Sequence, residues 1–149
     1  MATWNGVLLI ALLACGVAQV AKAVVSLVQH QQWHPKILIQ SGGMPSSHAA
    51  LVAALAVAVG QTWGWNGPEF AIAVVVALIV MYDASGVRLA ASRHARLLNQ
   101  MVDTLRREHG EFQDHNPLQE LLGHTPAQVL VGGLLGATVA LLATPWLQT

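Results

Sequence analysis

Long apolar runs separated by short polar connections set the pattern of this chain. Four stretches, about 4–28, 46–63, 70–87 and 127–147, are almost free of charge. A helix of about 20 apolar residues crosses a hydrocarbon layer of about 30 Å, and all four come near or pass that length. Between the third and fourth lies a different pattern. Leu89, Leu97, Leu98, Met101, Val102 and Leu105 recur among Arg93, Arg96, Asp103, Arg106, Arg107 and Glu108. That spacing predicts an amphipathic helix over Leu89 to Glu111, continuing the third run or bent off it along the membrane surface. The fold class expected is all-α: a polytopic membrane helix bundle of four transmembrane helices plus one amphipathic helix, in one domain over 1–149.

The connections carry the punctuation. Gly42-Gly43-Met44-Pro45-Ser46-Ser47-His48 precedes the second run. Pro45 suits a first helical position and either serine can cap it, so a helix is expected to begin near Pro45. Its N-terminus would present free N–H groups and a partial positive charge suited to phosphate. Trp63-Gly64-Trp65-Asn66-Gly67-Pro68 reads as a tight turn with interfacial tryptophans. Pro117 is expected to start a short helix that Gly123 stops, and Thr125-Pro126 to cap the next. In the last run, Gly132 and Gly136 have the small-xxx-small spacing of close helix contacts.

Composition supports the membrane reading. The 149 residues are 54% hydrophobic and 9% charged, against about 25% charged in soluble domains. Mean hydropathy is +0.53. Net charge is zero, so no basic surface points to nucleic acid. Leu12-Leu13-Ala14-Cys15 superficially resembles a lipoprotein cleavage site, but no Lys or Arg precedes it; Cys15 is expected to be an inert thiol in a membrane helix.

All seven basic residues, Lys22, Lys36, Arg88, Arg93, Arg96, Arg106 and Arg107, fall in or beside the first and third connections. The positive-inside rule places those connections in the cytoplasm, with the amphipathic helix, and both termini outside. His48, Arg88, His94, His124 and Lys22 then share the cytoplasmic face of an inner membrane. Lys22, Arg88 and the turn at Ser46 and Ser47 supply what an oxyanion needs, and two histidines can divide nucleophile and acid roles without a metal. Asp83 is costly in a membrane and marks a functional position, with Arg88 as its nearest partner. His30 and His34 lack an obvious third ligand. Neither clustered carboxylates nor a zinc spacing is present, so no metal and no cofactor is expected.

Three motifs carry a resemblance. Gly42–His48, Tyr82-Asp83-Ala84-Ser85-Gly86-Val87-Arg88 and Leu121-Leu122-Gly123-His124-Thr125-Pro126 together resemble the divergent type-2 phosphatidic acid phosphatase family. This membrane family is related to acid phosphatases and vanadium-dependent haloperoxidases. The resemblance implies His48 as general acid, and Lys22, Ser46, Ser47 and Arg88 as the phosphate cradle. It leaves two nucleophiles. His94 stands at the superfamily separation from Arg88, but Val87 replaces a serine and Leu98 the orienting aspartate, with Asn99 one place on. His124 lies in the Gly-His-Thr-Pro motif typical of divergent relatives, with Asp83 or Glu120 as orienter. The implied function is a metal-independent phosphatase acting on phosphorylated or pyrophosphorylated lipids through a phosphohistidine. The alternatives are an inactive anion- or lipid-binding membrane protein and an oligomeric transporter or channel subunit. Membrane lipids are the expected partners, with a homo-oligomer open.

Overall fold

The computed structural model describes residues 5–31, 43–109, 116–120 and 122–147, and every regular element among them is a helix. In order these are α1 (Gly6–His30), α2 (Ser47–Trp63), α3 (Pro68–Ser85), α4 (Val87–His109) and α5 (Pro126–Leu147). Gly42, His34 and Lys36 lie outside the described residues. Three stretches are long and apolar enough to cross a membrane: Gly6–Val28, Pro68–Glu108 and Pro126–Trp146. The fourth, α2, is apolar but has 17 residues.

Local chemistry sets the helix ends. Pro45 does not open α2; it lies ahead of the cap. Ser46 is the N-cap, extended at φ −73° and ψ 114°, and its Oγ accepts the Ala49 N–H at 3.3 Å. A helix starting at Pro45 would be capped by Met44, which has no oxygen to offer. At α5, Thr125 and Gln128 form a reciprocal pair. Thr125 Oγ1 accepts from the Gln128 N–H at 3.3 Å, and Gln128 Oε1 accepts from the Thr125 N–H at 2.9 Å. This is a capping box with Pro126 as first helical residue. Between α3 and α4, Gly86 leaves helical geometry at φ −105° and ψ −85°. A Cβ there would lie 2.8 Å from the Tyr82 carbonyl oxygen, so the break needs glycine.

Pro117 starts no helix. Residues 116–120 lie along α4 instead, held by side chains one stripe apart on it. Asn99 accepts the Leu118 N–H at 2.8 Å and donates to the Leu118 carbonyl at 2.9 Å. Ser92 donates to the Glu120 carbonyl. Arg96 and Asn99 also hold the Glu120 carboxylate, at 3.3 and 2.9 Å. Side chains of α4 thus supply the main-chain partners that a helical turn would have supplied.

The bundle centres on α2, which packs against α1, α3 and α5. Its buried residues are almost all small: Ser47, Ala49, Ala50, Ala54, Ala56, Ala58 and Gly60, with Val52 and Val59. Ser46 lies opposite Gln128 and Gly132, and Ala50 opposite Gly136, so α2 and α5 run parallel. The Ser46 N–H donates to the Gln128 carbonyl at 3.2 Å. A Cβ on Gly132 would come within 2.3 Å of the Ser46 carbonyl oxygen, and one on Gly136 within 2.0 Å of the Ala50 oxygen. The paired glycines therefore set the distance between these helices, as their spacing predicted.

Gly136→Ala forces α2 and α5 apart, and overpacking of this kind costs about 1–3 kcal/mol. Thermal unfolding in detergent should show a clear loss of midpoint temperature for Gly136→Ala. Gly16→Ala, whose Cβ meets nothing within 4 Å, should leave the midpoint unchanged or raise it.

Candidate functional site

Four helix ends meet at one level of the bundle. They are the C-terminal part of α1, the N-terminus of α2, the C-terminus of α3 and the N-terminus of α5. Ala49, Ala84 and Val129, from α2, α3 and α5, pack together there. Gly43, at φ +103°, lies against the stem of Lys22: a Cβ on it would sit 3.4 Å from Lys22 Cγ and Cδ. The opening turn of α2 is thereby joined to Lys22 of α1, which is 2% exposed. Ser46 and Ser47 are buried beside it, and His48 is exposed in the first turn of α2.

His124 occupies the middle of this arrangement. Its N–H donates to the Ala84 carbonyl at the end of α3, at 3.0 Å. The preceding Gly123 fits against the α4 backbone, where a Cβ would lie 2.4 Å from the Leu89 nitrogen. The side chain is 2% exposed. Among the described residues, its Nε2 is buried without a hydrogen-bond partner. Burial first, then the charges of Lys22, His48 and Arg88, hold this imidazole down to about 4 from an ordinary 6.5. At neutral pH it is uncharged and carries a free lone pair.

The same electrostatics show which sequence candidates gather. Lys22, His48 and Arg88 all act on His124. Asp83 joins this group by pairing with Arg88: its Oδ2 accepts from Arg88 Nε at 2.5 Å, in a partly exposed ion pair. Asp83 is thus the partner of Arg88, as its position suggested, and not a contact of the imidazole. His94 is not brought to the cluster. In one continuous helix, six residues turn it about 120° away from Arg88 around the axis, and it lies exposed on α4. Neither suggested orienter from that region is available. Asn99 is engaged with Leu118 and Glu120, and Glu120 with Arg96 and Asn99. Asn99 and Arg96 keep the Glu120 carboxyl below its usual range. Among the described residues, no three His, Cys, Asp or Glu side chains stand together as a metal site.

Two features of the site escaped sequence reasoning. Gln128 locks Thr125 through the capping box and receives the Ser46 N–H on its carbonyl. The Thr125-Pro126-Ala127-Gln128 spacing was the available signal. The second is the attachment of 116–120 to Ser92, Arg96 and Asn99, signalled by their common stripe on α4.

This arrangement of helix ends, cations and imidazoles accompanies a clear family assignment. The chain belongs to the divergent PAP2 family, whose model matches residues 3–139. It is also similar to the uncharacterized membrane protein YuiD of Bacillus subtilis (strain 168), 36% identical over 146 residues, with 92% of each chain covered. No solved structure matches.

The depressed value at His124 has a consequence for stability. The unfolded chain takes a proton on this imidazole as pH falls through about 6.5, and the folded chain only near 4. The unfolded state then binds more protons across that window, so folding stability from this group falls as pH drops from 6.5 to 4. Unfolding midpoints in detergent between pH 7 and 4.5 should decline, and His124→Gln should flatten the decline.

Proposed function

We propose that this protein is a metal-independent phosphatase acting on lipid phosphates or pyrophosphates, with His124 as the nucleophile. The observation that carries this reading is the buried, unpartnered Nε2 of His124, uncharged at neutral pH and set among Lys22, His48 and Arg88. A phosphoryl group there meets a lone pair, fixed cations and the N-termini of α2 and α5. Family membership supports phosphatase chemistry over the other readings.

In this mechanism Nε2 attacks phosphorus as the ester oxygen leaves. His48 supplies the proton that this oxygen takes up. The phosphohistidine is then attacked by water, whose proton passes to His48, and inorganic phosphate departs from a neutral His124. Lys22 and Arg88 neutralise charge on the non-bridging oxygens, and Asp83 fixes the Arg88 guanidinium through Nε. The exposed position of His48 suits a group that must reach a leaving oxygen.

In the membrane we place α1, α2, α3 and α5 as four spans, with this end of the bundle on the cytoplasmic side where the basic residues lie. The polar stripe of α4 meets residues 116–120, while Leu97, Leu98 and Met101 on its other side are exposed. That orientation suits a helix resting on lipid.

The test uses purified protein in vesicles with phosphatidic acid, phosphatidylglycerol phosphate or a prenyl pyrophosphate, reading phosphate release. His124→Ala should lose activity by about 10³-fold or more, and His48→Ala by about 10²–10⁴-fold. His94→Ala should remain close to the parent protein. The His48→Ala loss should shrink on p-nitrophenyl phosphate, whose leaving group needs no proton. A quench into alkaline detergent, in which a phosphohistidine survives, should trap radiolabelled phosphate on the parent but not on His124→Ala. If no substrate releases phosphate above the His48→Ala rate, the reading falls and an inactive anion-binding membrane protein stands in its place.

A further inference from the structure

The chain reaches His124 from outside the bundle. Residues 116–119 are exposed and Glu120 is half-buried, yet four residues later the imidazole is buried. Among the described residues, no main-chain hydrogen bond ties 116–120 to the rest of the fold. Side chains of α4 tie it instead, Asn99 foremost. Asn99 Oδ1 accepts the Leu118 N–H at 2.8 Å, while Nδ2 donates to the Leu118 carbonyl and to Glu120 Oε1, both at 2.9 Å. Both hydrogens of the amide are thereby used. A carboxamide can accept from and donate to one residue's main chain, as a neighbouring strand would; an aspartate at the same place can only accept. Ser92 and Arg96 add bonds to the carbonyl and carboxylate of Glu120.

On its other side His124 is anchored by its own N–H on the Ala84 carbonyl and by the Thr125–Gln128 capping box. On the near side stand the fit of Gly123 against the Leu89 backbone and, before it, the Asn99 clasp. Both sides are needed, because a buried Nε2 without a hydrogen-bond partner is better off in water. A slackened segment lets the imidazole turn outward. We propose that Asn99 is a positioning residue for His124. It does not touch the imidazole. It fixes the main chain at Leu118, so that Gly123 seats on α4 and His124 enters the bundle with Nε2 held inside. The consequence for catalysis rests on the phosphatase reading; the hold on position 124 does not.

The experiment introduces His124→Cys into the full chain with Cys15→Ala and follows its modification by a charged methanethiosulfonate in detergent micelles. Modification should be slow in this background and several-fold faster with Asn99→Ala. Asn99→Asp, which sets a carboxylate against Glu120, should accelerate it similarly. Combining Asn99→Asp with Glu120→Gln restores a donor facing an acceptor and should return the rate most of the way. Gln100→Ala, the exposed neighbour on α4, should change nothing. Thr144→Cys, at a buried position towards the other end of α5, should stay protected when Asn99→Ala is added. If it reacts as well, Asn99 supports the whole fold and the proposal is overturned. A rate at position 124 indifferent to Asn99→Ala overturns it too, as does a double variant no slower than Asn99→Asp alone. In phosphate release by otherwise unaltered protein, Asn99→Ala should lower kcat several-fold with KM little changed, since Lys22, Ser46 and Arg88 are held by other contacts. A raised KM with kcat intact counts against a positioning role. If no substrate releases phosphate, the enzyme reading fails, and the cysteine rates still decide this one.

Discussion

Everything near the candidate site depends on how closely two parallel helices approach. Gly132 and Gly136 let α5 lie against the carbonyls of Ser46 and Ala50, and the Ser46 N–H closes the contact on Gln128. Parallel packing puts both N-termini at one level. The chain then returns through α1 and α3, whose C-terminal ends arrive at that level carrying Lys22 and the Ala84 carbonyl. The polar groups converge where the helix backbones touch.

The interior this creates is unusual in its contents. Among the described residues, the largest fully buried side chains are Ile10, His124, Thr144 and Ser46; the other buried positions are mostly alanine. Large apolar residues such as Leu78, Ile79, Leu130 and Leu142 point outward. Van der Waals fit between small residues replaces the large side chains that fill soluble cores. A histidine in such an interior must make its own accommodation. Burial and neighbouring charge favour the uncharged imidazole, whose Nε2 is buried without a hydrogen-bond partner.

Much of this was legible from residue order. The apolar runs gave four of the helices to within a few residues, and the alternating charges gave α4. The glycine pair on α5 marked a close contact because only backbone-to-backbone approach rewards that spacing. Ser46 could be named as a capping residue, although Pro45 proved to precede the cap. What could not be read was long-range. Arg88 and His94 stand at the family separation, but a continuous helix turns them to different sides. Asn99 looked like a stand-in orienter because a sequence does not reveal that Leu118 and Glu120 will claim its amide. Pro117 looked like a helix start because side-chain partners for its neighbours come from 19 to 28 residues away.

The attachment of residues 116–120 to α4 has a mechanical meaning. His124 stands at the threshold of α5 by sequence, yet Glu120 is tied to Ser92, Arg96 and Asn99, and Gly123 is seated on the Leu89 backbone. The imidazole is therefore carried as much by the amphipathic helix as by the bundle. Gly86 is the joint between that helix and α3. A swing of α4 at this joint would move Glu120 and Gly123 with it, and so carry along the segment that bears His124.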